Sequence, residues 1–199
     1  MLIIASPKSM SSSLKKYFSR KKGIHSEYIL SKKLPLAGSL WHWFHRFTNA
    51  CVQFDEDTAK KICSSKNTIW KFHVPPTLQN LSVFVPYKKV ILLRDPKESI
   101  YSWRRTALKL NRKIAGIPFD KSFLSKSEED WVKKADQEGL LLELERFCRG
   151  WGKHKENALH IDYNDLLKHP KKTVNKVEEF FGLPITKKVS LPKVRYTRS

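Results

Sequence analysis

Val90-Ile-Leu-Leu-Arg-Asp-Pro-Lys-Glu-Ser-Ile-Tyr-Ser102 is the stretch whose reading decides the fold. The apolar run Val90 to Leu93 predicts a buried strand, and Arg94 puts a guanidinium at its tip. Pro96 stands where a first helical turn begins, so Ser102 lies about two turns along the helix that follows. In that arrangement both side chains can reach one anion. A surface arginine after a buried strand, with an incidental helical serine, is the competing reading, and the segment alone does not choose between them.

The chain opens with a second strand-to-helix turn. Leu2-Ile-Ile-Ala5 is a short apolar strand, Ser6-Pro-Lys-Ser-Met-Ser-Ser-Ser-Leu14 is rich in hydroxyls, and Leu14, Tyr17 and Phe18 recur at helical spacing. Such a turn aims backbone N–H groups and the positive helix end at an anion, and Lys8 adds a mobile charge. It is not a Walker A loop, because G-x-x-x-x-G-K-[ST] is absent and the lysine precedes the small-residue run. That order argues against an ATP or GTP kinase. A serine-capped helix start without a ligand is the alternative for these residues.

Between the two turns lies Thr68-Ile-Trp-Lys71-Phe-His73-Val-Pro75-Pro76, a β-rich run ended by two prolines, which places Lys71 and His73 on one side of a strand end. An imidazole beside a cation at the carboxyl edge of a strand suits a general base, while a lone histidine also serves as a structural residue.

Taken together, these residues resemble the sulfotransferases that use 3′-phosphoadenosine-5′-phosphosulfate (PAPS). Residues Ser6 to Leu14 resemble the family's 5′-phosphosulfate loop, P-K-S-G-T-T-W-L, with Lys8 on its catalytic lysine. Lys71-Phe-His-Val-Pro75 is similar to the K-T-H-L-P segment of the cytosolic alcohol and phenol enzymes, whose histidine is the base. Arg94 and Ser102 fall on the pair that holds the 3′-phosphate. Downstream, Ile161-Asp-Tyr163-Asn-Asp165-Leu-Leu-Lys-His-Pro170 and Val177-Glu-Glu-Phe-Phe-Gly-Leu-Pro184 are similar to Y-E-D-L-x-x-x-P and F-L-G-L-P.

The resemblance implies His73, Lys8 and Lys71 as catalytic residues. His73 takes the acceptor proton, Lys8 stabilises charge on the leaving oxygen, and Lys71 steadies the sulfonate oxygens. It implies a nucleotide site at Lys8, Ser9, Met10, Ser11, Ser12, Ser13, Arg94, Ser102 and Tyr163, with PAPS as donor, PAP as product and no metal. The implied acceptor is a small-molecule, glycan or lipid hydroxyl, or an amine. Three departures accompany the matches. Met10 stands where the family has glycine, and a side chain there penalises positive φ. Ser13 stands where many members stack a tryptophan on adenine. The R-K-G-x-x-G closing segment is not visible, and Lys193, Arg195 and Arg198 are its candidate substitutes or else solvated charges.

At 199 residues the chain is long enough for one sizeable core, so residues 1–199 are expected to form a single sulfotransferase-like domain. Three cysteines, Cys51, Cys63 and Cys148, are an odd count with no C-x-x-C pair, so neither a disulfide scaffold nor a zinc site is indicated, and a reducing cytoplasm fits best. No apolar run approaches membrane-spanning length and no signal segment precedes the first strand. Thirty-nine Lys and Arg against 19 Asp and Glu give +20 with histidines neutral. Charge of that size attracts polyanions, so a basic nucleic-acid-binding or nucleotide-binding α/β protein without sulfotransfer is the rival function. The lysines are spread over pairs such as Lys15-Lys16, Lys21-Lys22, Lys32-Lys33, Lys133-Lys134 and Lys187-Lys188, with no recognition-helix motif. Most of them read as a solvated face, and no specific nucleic-acid partner is expected.

Strands and helices alternate, the pattern of a three-layer α/β domain with a mainly parallel sheet, here of the P-loop-NTPase-like sulfotransferase type. Strands are predicted near 2–5, 26–30, 68–73, 89–93 and 157–162. Helices are predicted near 11–21, 38–50, 55–64, 96–112, 128–149 and 171–181. Lys8, His73 and Arg94 all fall at carboxyl ends of strands, where such sheets bind ligands. Asn111 to Lys126 reads as a loop able to cover the site. Trp41, Trp43, Phe44 and Phe47 read as a buried helix face or an acceptor wall, with His42 and His45 beside them, and Trp103, Trp131 and Trp151 carry the same two readings.

Overall fold

A computed structural model describes residues 1–21, 23–26, 53–110 and 121–192 of the chain. Its centre is a parallel sheet of β1 (Leu2–Ala5), β2 (His25–Ser26), β3 (Thr68–Phe72), β4 (Lys89–Leu93) and β5 (Ala158–Asp162), in the order β2-β3-β1-β4-β5. Ile3 of β1 sits opposite Lys71 on one side and Val90 on the other, and Leu93 of β4 sits opposite Asp162. The continuous apolar runs follow from burial on both faces. Leu2, Ile4 and Ile91 point into one core, and Ile3, Ala5, Val90 and Leu92 into the other.

Helices cover both faces. On one face lie α1 (Ser11–Phe18), α7 (Tyr163–Lys168) and α8 (Pro170–Phe180), which bury Leu14, Phe18, Leu166, Val174 and Val177 against the sheet. On the other lie α2 (Glu56–Ser64), α4 (Pro96–Leu110), α5 (Glu128–Gln137) and α6 (Leu140–Lys153), which bury Ile62, Ile100, Trp103, Trp131, Leu144 and Trp151, and with them α3 (Leu78–Val83), which adds Val83. Trp103, Trp131 and Trp151 are therefore core residues. Side chains cap most helix starts: Asp55 accepts from Thr58 N at 2.6 Å, and Ser127 and Asp130 form a capping box.

The sheet matches expectation at β1, β3, β4 and β5, and β2 begins at His25 with the rest of 26–30 outside the described residues. The helix predicted across 128–149 is two helices. Gly139, at φ 76°, closes α5 and opens α6, and only a left-handed residue lets the chain turn there while Trp131 and Phe147 both reach one core. Two short helices, α3 and α7, went unpredicted, as did the 3₁₀ turn Lys121–Ser125. The expected helix at 38–50 and its aromatic cluster, His42 and His45, residues 111–120 of the covering loop, and Lys193, Arg195 and Arg198 lie outside the described residues.

Three lysines lie outside the solvated face that most of them were expected to form. Lys15 is buried on the inner side of α1, because its helical position faces β3. Lys89 is fully buried and its ammonium donates to the carbonyls of Phe84, Tyr87 and Glu156 at 2.8, 3.1 and 2.7 Å. Lys21 pairs at 2.5 Å with Glu178, a buried carboxylate that also accepts from Tyr17 and from the amide and hydroxyl of Thr186. Glu178 thereby fastens the end of α1 and the segment after α8 to one helix. No helix among the described residues is long and apolar enough to cross a membrane.

Candidate active site

The loop from Ser6 to Met10 leaves β1 at the carboxyl edge of the sheet, between β3 and β4. Ser6 N extends the ladder to Leu92 O at 2.9 Å. Lys8 and Met10 then both adopt left-handed backbone, at φ 61° and 64°, at about 1–2 kcal/mol each for a residue with a Cβ. Met10 thus keeps the backbone that its glycine counterpart would take without penalty. Three contacts hold this strained turn. Ser9 Oγ donates to Ser6 O at 2.6 Å, Arg94 donates to Lys8 O at 2.8 Å, and Ser99 Oγ donates to Pro7 O at 3.2 Å. Those carbonyls are thereby turned into the protein, and left-handed residues on either side of Ser9 are the kind of backbone from which anion-binding nests are built. Helix α1 starts at Ser11 with Met10 as its N-cap and no side-chain cap, so its first-turn N–H groups have no intrahelical partner.

His73 stands at the end of β3 beside this loop. Its Nδ1 lies 2.7 Å from Ala5 O and its Nε2 lies 2.8 Å from Lys71 Nζ. A carbonyl only accepts, so Nδ1 carries the hydrogen and Nε2 holds the lone pair, into which the Lys71 ammonium donates. The ring is buried. Burial, and then the Lys71 charge, push its pKa well below the ordinary imidazole value despite the opposing bond to Ala5 O. Burial, with Lys15 nearby, brings Lys71 down to about 8.

Arg94, at the tip of β4, is buried with its guanidinium carbon 3.9 Å from the centre of the Tyr163 ring and one nitrogen 3.3 Å from Glu98. Its Nε is buried without a hydrogen-bond partner. Lys8 reaches across to α4, where its Nζ donates to Thr106 Oγ1 at 2.9 Å, and Thr106 in turn donates to the backbone carbonyl of Ser102 at 2.8 Å. Burial, and then the charges of Arg94 and Arg105, lower Lys8 to about 8. Lys8, Arg94 and Arg105 are thus close enough to repel one another, an arrangement that a multiply charged anion relieves.

The structure therefore brings Lys8, Lys71, His73, Arg94 and Tyr163 around one loop, with Ser102 one helical turn before the Lys8 partner Thr106. Ser9, Ser11 and Ser13 are buried and Ser12 is exposed at the start of α1. Sequence reasoning missed Ser99, Thr106 and Arg105. Thr106 had a readable signal, since it lies four residues after Ser102 on the same helix face. Ser99 had none, because its partner is a backbone carbonyl 92 positions away.

A family model described as a sulfotransferase domain matches residues 1–198. The chain belongs to the sulfotransferase family. Among solved structures it is similar to a sulfotransferase from Alicyclobacillus acidocaldarius, with TM-score 0.54 and 15% identity over 98% of this chain and 85% of that one. It is also similar to mouse sulfotransferase SULT7A1 complexed with PAP, with TM-score 0.59 and 15% identity over 94% of this chain and 59% of that one. A third is the sulfotransferase domain from the curacin biosynthetic pathway, with TM-score 0.52 and 15% identity over 94% of this chain and 74% of that one. These likenesses concern the fold. No curated protein matches the chain.

Proposed function

We propose that the chain, acting as one domain in a reducing cytoplasm, moves a sulfuryl group from PAPS to an acceptor hydroxyl or amine by in-line displacement. The observation that carries the reading is the junction of three strand ends at one loop: His73 on Ala5 O and Arg94 on Lys8 O, at 2.7 and 2.8 Å. The mouse relative binds PAP, the nucleotide that remains when PAPS has given up its sulfuryl group.

In this reading the amides of the Ser9–Ser12 turn and the uncapped start of α1 hold the 5′-phosphosulfate. Lys8 neutralises the oxygen that leaves with the nucleotide, as expected for a loose displacement in which positioning and charge do most of the catalysis. Arg94 and Ser102 hold the 3′-phosphate, and Tyr163 keeps the Arg94 plane in place. His73 accepts the acceptor proton at Nε2, and its neutral, buried ring suits that task.

The test is His73→Ala, assayed with radiolabelled PAPS and phenolic and aliphatic alcohols. Transfer should fall by about 10²–10⁴-fold, the usual worth of a general base, while PAP binding stays at the wild-type level. Turnover unchanged by the substitution removes His73 from the role.

A further inference from the structure

The two groups given separate duties in the proposed reaction hold each other in the resting protein. Nε2 of His73 is the atom that must take the acceptor proton, and its lone pair is already filled by an N–H of Lys71 at 2.8 Å. The ring cannot turn its other nitrogen to the task, because Nδ1–H is fastened to Ala5 O at 2.7 Å. The imidazole is buried, so the Nδ1–H stays on Ala5 O while Nε2 is the nitrogen left to serve. Lys71 differs from its partner: it is only partly buried by surface exposure, its stem has four rotatable carbons, and its ammonium carries three donors. A sulfonate, charged and with several oxygens, is a stronger acceptor for an ammonium than a neutral imidazole.

We propose that Lys71 shields the base and that the sulfonate of the donor removes the shield. The proposal rests on the donor reading above. Arrival of the sulfonate draws Lys71 Nζ off His73 Nε2, so the ammonium changes partner without changing charge. The freed lone pair then faces the acceptor. As the acceptor oxygen bonds to sulfur, its proton passes to Nε2, and the sulfur–oxygen bond to the 5′-phosphate breaks with its electron pair leaving on PAP. The imidazolium then returns the proton to solvent and Lys71 swings back. Two consequences separate this device from an ordinary substrate contact. The base is silent towards water and towards acceptor until donor is bound. PAP, which lacks the sulfonate, leaves the shield closed, so an acceptor that binds beside PAP meets an occupied base.

The test uses the full chain labelled with ¹⁵N-histidine and long-range ¹H–¹⁵N spectra of the His73 ring, recorded free, with PAP and with PAPS in the absence of acceptor. Competition calorimetry on the same samples establishes that each nucleotide is bound. The free protein should show an Nδ1–H tautomer whose Nε2 signal is displaced by a hydrogen bond. PAPS should return that signal towards the position of an unbonded acceptor nitrogen, the position it holds in Lys71→Met, and PAP should leave it where it was. The comparison of PAPS with PAP in the wild-type chain stands even if Lys71→Met does not fold. PAPS bound with Nε2 unmoved, or PAP and PAPS moving it equally, overturns the shield while leaving the donor reading intact. Failure of both nucleotides to bind overturns the donor reading and the shield with it.

Discussion

Gly150→Ala probes how tightly His73, the proposed base, is packed. Gly150 lies in α6, where a Cβ would stand 2.4 Å from Pro76 Cβ and 2.7 Å from Pro76 Cγ, against about 3.5–4.0 Å for an ordinary carbon contact. The proline ring has no rotamer that clears the space, so the backbone of α6 or of residues 75–76 must move by about an ångström. In an exposed helix the same substitution stabilises by about 1 kcal/mol, because glycine is the poorer helix former. Overpacking of a rigid contact costs about 1–3 kcal/mol, so against the helix gain the net effect should be a loss of up to about 2 kcal/mol. With a slope of about 2 kcal/mol per molar urea, that is a midpoint lowered by up to about 1 M. The displaced segment also carries His73, three residues before Pro76, and Trp151 Nε1 ties Val74 O to the same helix at 2.7 Å. Misplacement of a reacting group by an ångström lowers rate by about 10²-fold, so transfer should drop further than stability does. Equilibrium urea unfolding and a PAPS-dependent rate assay measure the two. A variant more stable than wild type with undiminished transfer would refute the reasoning.

Arg94→Ala should weaken PAP by about 10–100-fold, the worth of a charged hydrogen bond, and adenosine 5′-monophosphate by far less; equal weakening contradicts the 3′-phosphate assignment. In kcat/KM for the donor, the Lys71 and Lys8 ammonium groups are both brought down to about 8 by burial, so the rate should fall as pH rises through that value and those charges are lost. The His73 pKa is well below its ordinary value, so no loss should appear on descending through pH 6.5; a bell centred on that pH would count against the neutral base. Glu178→Ala removes the charged partner of Lys21, which keeps only Thr186 Oγ1 and Pro184 O, and the acceptor of two Thr186 donors, and should cost about 2–3 kcal/mol in urea unfolding. Burial pushes the Glu178 carboxyl up, but the Lys21 and Thr186 hydrogen bonds outweigh that and hold it below its ordinary value. Its contribution is therefore present above the ordinary carboxylate pKa and lost as pH falls through the lowered one, so the wild-type chain should lose more stability on acidification than Glu178→Ala.

The sheet was legible because each of its long strands is a short apolar run bounded by turn residues, and burial on both faces writes itself as continuous hydrophobicity at Leu2–Ala5 and Val90–Leu93. Strand ends were legible for the same reason, and with them the positions of Lys8, His73 and Arg94. Gly139 was readable only as one residue inside a helical pattern, and nothing short of its φ of 76° distinguishes a tolerated glycine from a helix break. Lys15 was read with the solvated face because the sequence shows its charge and not its position on α1, and nothing in the sequence showed the three carbonyls that receive Lys89. The side-chain partners escaped for a related reason. Lys71 and His73 are visible as neighbours two apart, but their mutual bond depends on which way the ring is fastened, and that is set by Ala5, 68 positions earlier.

Isothermal calorimetry with adenosine 3′,5′-bisphosphate, run with and without magnesium, tests the proposed donor most directly. One site per chain, saturable and indifferent to magnesium, is the predicted result. Absence of heat from that nucleotide, together with magnesium-dependent ATP binding or with nucleic-acid affinity that falls steeply with salt, would contradict it.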